Sequence, residues 1–282
     1  MPEGDAIHRA TAALRSALVD EKMVRFEAPR LIGSTPRAGR TIERVECHGR
    51  HVEIEWDDDT VLDTNLRLRG SWFVHRIGDV WQRPHHELRV LIEVDGWVAV
   101  CFNAPMVETY RRPDPLRHPG LRGLGPDLSR ADADLVRCVR ALVSYDDRTA
   151  PLSAVLLDQR VLCGLGNVYR CELLWAGQLN PSAPVGDLSE REVMRMIDVA
   201  AKLVRANLRH AERIALPGVD GGLAVYGRSG QPCQRCATTI VCERIDGRPL
   251  YWCPGCQTRL APPASPTPAW SELYWAQSSA GA

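Results

Sequence analysis

Lysine is almost missing from this chain. Of its 35 basic residues only Lys22 and Lys202 are lysines and the rest are arginines, a bias that fits a GC-rich coding sequence and lowers the information in any single arginine. Net charge is missing too, because 35 acidic residues balance the basic ones. A nucleic-acid partner therefore has to be met by a local basic surface and not by the overall charge. No apolar run approaches the roughly 18 residues that a membrane span needs, and the expectation is a chain without membrane contact. The start carries neither a basic leader nor an apolar secretion core, so a cytoplasmic location is expected. Ten cysteines in 282 residues are too sparse for a disulfide scaffold. Four of them sit in CxxC pairs near the end, which in a cytosolic chain reads as metal binding plus ordinary buried thiols.

What is present begins with Met1-Pro2-Glu3-Gly4. A small residue at position 2 allows the initiator methionine to be trimmed, leaving Pro2 with a free secondary amine. An α-amino group titrates near pH 7.7–8, against about 10.4 for lysine. A useful fraction is thus unprotonated at neutral pH and able to attack an aldehyde-like carbon. A secondary amine then gives a permanently cationic iminium, an electron sink, with Glu3 next to it as a proton donor. Simple N-terminal processing is the alternative reading of the same residues.

The pattern then changes along the chain. Residues 3–19 read as a helix with Ile7, Ala10, Leu14, Ala17 and Leu18 on one face. From 24 to about 110, Val45–Trp56, Val61–Leu68, Ser71–Val74 and Leu88–Phe102 carry strand-like patterns, broken at Asp57-Asp58-Asp59 and Asp95-Gly96. They predict a β-sandwich or barrel with the leading helix attached. From about 125 the pattern is helical: a helix capped by Ser129 to Val143, one over Pro151–Leu162, one over Asn167–Ala176, and a long one to Leu208 behind the capping box of Ser189 and Glu192. The whole reads as a multidomain α+β chain: residues 1–115, 125–222, a cysteine module at 223–260, and a tail at 261–282. That tail is either flexible or, through Trp270–Trp275, a partner-binding segment.

Cys233-x2-Cys236, sixteen residues, then Cys253-x2-Cys256 is the strongest local signal. Two CxxC turns complete a tetrahedral thiolate shell, which zinc favours; two disulfides are the alternative. Such a closed site folds the module and leaves no open position for chemistry. Between the pairs, Thr238–Arg244 and Arg248–Trp252 read as a hairpin around Asp246-Gly247, with Cys242 a strand thiol. Arg248, just past the tip, either reaches a phosphate or is a solvated arginine. Upstream, Gly164-Leu165-Gly166-Asn167 joins two helices. The unpaired N–H groups there suit an anion, with Asn167 either capping the helix or donating to a phosphate. Glu172 either braces that turn or is a surface carboxylate.

Taken together, these residues are more specific than any one alone. Met1-Pro2-Glu3-Gly4, Leu157-Asp158-Gln159, Gly164-Leu165-Gly166-Asn167-Val168-Tyr169, Glu172-Leu173-Leu174, Tyr226-Gly227-Arg228, Gly230-Gln231-Pro232-Cys233 and Cys253-Pro254-x-Cys256-Gln257 occur in that order. The chain resembles the formamidopyrimidine-DNA glycosylase/endonuclease VIII family of base-excision repair over roughly residues 1–260. The resemblance implies an N-terminal β-sandwich with its helix, a helix–two-turn–helix domain and a zinc finger holding one structural Zn²⁺. It implies damaged DNA in the cleft between domains, with the lesion nucleotide flipped out. Pro2 would attack C1′, Glu3 would act as acid/base, and β,δ-elimination would follow. The DNA-binding set it implies is Asn167, Gly166 and Arg248, with Arg67, Leu68 and Arg69 on the loop that fills the gap. A monomer associated with the nucleoid through DNA is expected.

Three departures qualify the resemblance. The family's Gly-Lys-x-Leu stands here as Gly49-Arg50-His51-Val52. Arg50 can hold a phosphate but cannot transfer protons, its pKa being too high. His-Leu-x-Met-x-Gly stands as Asn65-Leu66-Arg67-Leu68-Arg69-Gly70, and the Arg-Phe-Gly wedge is replaced by Asn103-Ala104-Pro105-Met106-Val107-Glu108. Both point to the endonuclease VIII branch and oxidised pyrimidines. The alternatives are an oxidised-purine glycosylase and a catalytically weak binder of lesions or abasic sites.

Overall fold

The computed structural model describes residues 3–67, 69–112, 121, 123–208, 213–216, 220–245 and 247–258. Pro2, Leu68 and the 261–282 tail lie outside the described residues. The chain divides into two compact units, Met1–Gly123 and Leu124–Ala282.

In the first unit, α1 (Gly4–Leu18) buries Ile7, Leu14, Ala17 and Leu18, the face its periodicity predicts. Asp5 lies in its first turn, where the helix dipole favours a carboxylate, and pairs with Arg9 at 3.1 Å. Eight strands follow: β1 (Arg25–Glu27), β2 (Ile42–His48), β3 (His51–Trp56), β4 (Thr60–Asn65), β5 (Ser71–Arg76), β6 (Leu88–Val94), β7 (Trp97–Phe102) and β8 (Met106–Arg111). They form two four-stranded antiparallel sheets, β1-β6-β7-β5 and β2-β3-β4-β8. One core holds apolar side chains from both sheets, among them Val45, Ile54, Leu62, Val90, Ile92 and Ala99, together with those of α1. The helix packs on β2 and β5. A buried polar link also joins the sheets, since Trp72 Nε1 donates to Thr64 Oγ1 at 2.9 Å, and that hydroxyl donates to the Val52 carbonyl.

The segment Val45–Trp56 is not one strand but two, β2 and β3, reversing at Gly49-Arg50. Gly49 stands at φ 60, the first loop position where a tight hairpin accepts a glycine. The run of apolar and β-branched residues on both sides hides that turn from periodicity alone.

The second unit contains α2 (Leu135–Val143), α3 (Leu152–Val155), α4 (Asn167–Ala176), α5 (Glu190–Ala206), and the hairpin of β9 (Val241–Ile245) and β10 (Arg248–Trp252). Every residue of α4 is buried, and α5 and β10 pack against it. Helical residues and cysteine module share one apolar core, in which Leu173, Leu174 and Trp175 meet Cys233, Ile240 and Leu250. The capping box of Ser189 and Glu192 starts α5.

Two helix expectations need correction. Ser129 caps no helix, because its N–H and hydroxyl both bond Asp127 Oδ1, at 2.9 and 2.6 Å; Asp134 is the N-cap of α2 instead. Over Pro151–Leu162 only α3 is helical. The rest is turns, with Asp158 Oδ1 accepting the Arg160 N–H at 2.9 Å, a local bond that competes with a helix.

Candidate functional site

In the first unit Glu3 is the residue immediately before α1 and is 3 % exposed, so its carboxyl is held in protein at a positive helix end. Arg50 sits half-buried at the β2–β3 turn, and its carbonyl accepts the Leu66 N–H at 2.8 Å. That bond extends the β3–β4 register, in which His51 stands opposite Asn65. It ties Arg50 to the loop 66–70.

Reasoning from sequence missed a buried chain behind this loop. His51 Nδ1 lies 2.7 Å from Asp63 Oδ2, and His51 Nε2 lies 3.0 Å from Asn65 Nδ2. The amide Nδ2 can only donate, so Nε2 accepts and Nδ1 carries the proton to Asp63. Asn65 Oδ1 in turn accepts the Arg67 N–H at 3.1 Å. The chain runs from a fully buried carboxylate to the backbone of the loop. Arg67 is held there at φ 42, a left-handed conformation costly for arginine. Arg67 and Arg69 are both exposed, and Gly70 closes the loop against Leu66, where a Cβ would come within 2.6 Å of the Leu66 Cα. The signal was available in the sequence: counting outward from the Asp58 turn places 51 opposite 65.

In the second unit the Gly164–Asn167 turn and the cysteine hairpin are locked together. Gly164 stands at φ 89, and Gly166, in extended backbone, is the N-cap of α4. Asn167 is therefore not the cap. Its Nδ2 donates to the carbonyl of Pro249 at 2.7 Å, the residue next to Arg248. Arg170, only 1 % exposed, donates to Asn167 Oδ1, to the Ser153 carbonyl and more weakly to the Pro249 carbonyl. Arg248 is half-buried at the start of β10, opposite Ile245. The turn is thus hydrogen-bonded to the residue that follows Arg248, across a sequence separation of 82.

Glu172 neither braces that turn nor lies on the surface. It is 1 % exposed and accepts the N–H groups of Ala224, Val225 and Tyr226 at 2.7, 3.0 and 2.9 Å. Burial pushes its pKa up, and the three donors pull it back. It anchors the segment that leads into the cysteine module.

The four Sγ atoms of Cys233, Cys236, Cys253 and Cys256 lie within 4.8 Å of one another. Cys236–Cys253 at 3.3 Å and Cys233–Cys256 at 3.9 Å are far beyond a disulfide bond. Thiolates about 2.3 Å from a tetrahedral zinc ion stand about 3.8 Å apart, so the set fits one ion. Donors surround it: Trp175 Nε1 lies 3.3 Å from Cys233 Sγ, and Arg235 Nη1 lies 3.7 Å from Cys256 Sγ. Such bonds offset the negative charge of four thiolates. Gln257, fully buried, fixes the second pair by accepting the Cys253 N–H and donating to the Leu179 carbonyl.

The sequence profile of the formamidopyrimidine-DNA glycosylase H2TH domain matches residues 124–216. That of the zinc finger found in FPG and IleRS matches residues 230–259. The chain is 36 % identical to a probable endonuclease 8 2 of Streptomyces coelicolor, across 93 % of this chain and 96 % of that one. It is 34 % identical to a DNA-(apurinic or apyrimidinic site) lyase of Mycolicibacterium smegmatis, across 92 % and 99 %. Among solved structures, Lactococcus lactis Fpg in complex with DNA containing N7-benzyl-Fapy-dG has the same fold, with a TM-score of 0.77 at 20 % identity, covering 92 % of this chain and all of that one.

Proposed function

The chain belongs to the formamidopyrimidine-DNA glycosylase/endonuclease VIII family and is a DNA glycosylase and abasic-site lyase of base-excision repair; from that premise we propose that it removes oxidised pyrimidines, with Pro2 as nucleophile. The deprotonated amine of Pro2 attacks C1′ of the damaged nucleotide, and the base leaves with the bond electrons. Glu3 donates a proton to the ring oxygen as the sugar opens and the iminium forms. The iminium makes the C2′ hydrogens acidic, so loss of a C2′ proton lets the C–H electrons form the C2′=C3′ double bond and expel the 3′ phosphate. A second elimination expels the 5′ phosphate, and hydrolysis frees the amine.

The observation that carries the DNA-gripping part is the Asn167–Pro249 bond, which sets Asn167 beside Arg248. The Asn167 amide has two N–H bonds; one holds Pro249, and the other, on a side chain left 2 % exposed at the first turn of α4, is assigned to a backbone phosphate seated on that helix end, with Arg248 on the same phosphodiester track. Arg50, Arg67 and Arg69 supply further phosphate contacts, Leu68 fills the gap left by the extruded base, and Gly166 lets the DNA backbone approach. Structural zinc in the four-cysteine site holds the hairpin and takes no part in the chemistry.

Borohydride trapping on duplex DNA with an abasic site tests the nucleophile. Wild type is expected to form a covalent adduct that maps to the N-terminal peptide, and a chain in which an added residue blocks the Pro2 amine to form almost none; an adduct mapped elsewhere, or equal trapping by the blocked chain, refutes the assignment. Thymine glycol should be excised faster than 8-oxoguanine opposite cytosine, and the reverse order would move the substrate class to oxidised purines. Arg50 in place of the family's lysine favours one second reading, a binder of abasic sites with weak elimination. It predicts adduct without strand cleavage.

A further inference from the structure

An aromatic cavity outside these residues lies in the first unit, between β5, the end of β7 and the segment that leads to β6. Its volume is about 530 Å³, and its walls include Phe73, His75, Trp81 and Phe102, with Gln82 and Arg83. The rings are arranged as faces and edges. His75 lies 6.3 Å from Phe73 at an interplanar angle of 25° and 6.4 Å from Trp81 at 32°. Phe102 meets Phe73 and Trp81 edge-on, at 6.1 and 6.3 Å. The Arg83 guanidinium stands 5.3 Å from the Phe73 ring. Trp81 packs against an apolar cluster on the outer face of its sheet, Leu88, Leu91, Val98, Val100 and Phe102. Phe73 is still 38 % exposed, and Val80 is 90 % exposed.

The cavity's place in the chain narrows what it takes. β5 begins at Ser71, directly after the Arg67–Gly70 loop, and β7 ends at Phe102, directly before Asn103-Ala104-Pro105. Asn103 is tied to the cavity's own segment, its N–H and its Nδ2 bonding the carbonyl and the carboxylate of Glu87 at 2.9 and 2.8 Å. The loop proposed to meet DNA and the segment that stands where the family has its wedge thus flank the cavity, one at the start of β5 and the other at the end of β7. Aromatic faces beside an arginine are the combination that holds single-stranded nucleic acid, the ring stacking on a base and the cation meeting the backbone. A base inside an intact duplex has both faces covered by its neighbours. Only an unpaired base can enter.

We propose that this cavity binds an unpaired nucleobase of the DNA near the lesion, so that the protein prefers single-stranded or bubble DNA over fully paired duplex. This deepens the function proposed above and rests on it. The full-length zinc-loaded protein would be titrated with a single strand carrying a stable abasic-site analogue, and with the same strand in a paired duplex. Trp81→Ala is expected to weaken single-strand binding about tenfold and duplex binding less than about twofold, with Trp81→Phe restoring most of the loss. No loss on the single strand, or equal loss on both substrates, overturns the proposal.

Because Trp81 also packs on its own sheet, a second measurement leaves the protein unaltered. A single strand carrying 5-iodouracil is photocrosslinked, and the adduct is expected on a side chain of the cavity wall, Phe73, His75, Trp81 or Phe102. An adduct found only elsewhere overturns the proposal. Absence of borohydride trapping on the duplex would refute Pro2 as nucleophile while leaving both of these readouts in force.

Discussion

The bonds that Asn167 makes inside the protein and the phosphate contact proposed for it separate by experiment. Its side chain satisfies the Pro249 carbonyl and a buried guanidinium, Arg170. Asn167→Ala leaves Arg170 short of an acceptor, which costs about 2 kcal/mol, since hydrogen bonds to charged groups are worth about 1.5–3 kcal/mol. Urea denaturation reads that loss, and incision assays should show a further loss that saturating DNA does not restore. Arg50→Lys asks what a high-pKa cation withholds. A large gain in strand cleavage would show that arginine slows elimination, and an unchanged rate would make position 50 a phosphate clamp. His51→Ala strips Asp63 of its partner inside the core. An unsatisfied buried polar group costs about 1–3 kcal/mol, and the 65–70 loop should lose protection from amide exchange. The four cysteines were legible because their spacing alone defines the set. The His51–Asp63–Asn65 chain was not, because its members lie on neighbouring strands and meet only once the register is known.

At the level of elements, α4 is the pivot of the second unit. A helix buried all round needs partners for its polar side chains, and Glu172 finds three backbone donors at 224–226. Glu172→Gln places an amide NH2 among those donors and should destabilise the unit by about 1–3 kcal/mol, measured by urea unfolding. A stability equal to wild type would show that the carboxylate is dispensable there. Removing zinc with a chelator is expected to expose four further thiols to a thiol reagent and to abolish DNA binding together with the β9–β10 hairpin; retention of tight binding would refute the metal's role in holding Arg248. The hairpin was readable from Asp-Gly and the CxxC spacing. The extent of α2 and α3 was not. Asp127 and Asp158 divert nearby N–H groups into local turns, and apolar periodicity carries no trace of that competition.

For the whole molecule, charge neutrality hides a local preference. Four arginines are assigned to phosphates: Arg50, Arg67, Arg69 and Arg248. With each releasing a counterion, log affinity should fall with log salt at a slope of about −3.6, and Arg248→Ala should make it shallower by about 1. A slope near zero would remove the arginines from the interface. Thiol chemistry gives a second readout. Burial pushes Cys138 up to about 11 and Cys171 up to about 12, so at pH 8 their reactive thiolates are scarce, whereas Cys242 is exposed. A thiol reagent at pH 8 should label Cys242 first and reach Cys138 and Cys171 only in denaturant. The division into a sheet-rich and a helical half was legible from the change in period; the fusion of helices and cysteine module into one core was not, because it depends on contacts as distant as Asn167 with Pro249. That contact also has a lopsided vulnerability to mutation. Its acceptor is a main-chain oxygen, which every amino acid possesses, while its donor is one particular side chain. Sequence drift at 249 leaves the oxygen in place wherever the strand keeps its path, and drift at 167 removes the bond outright.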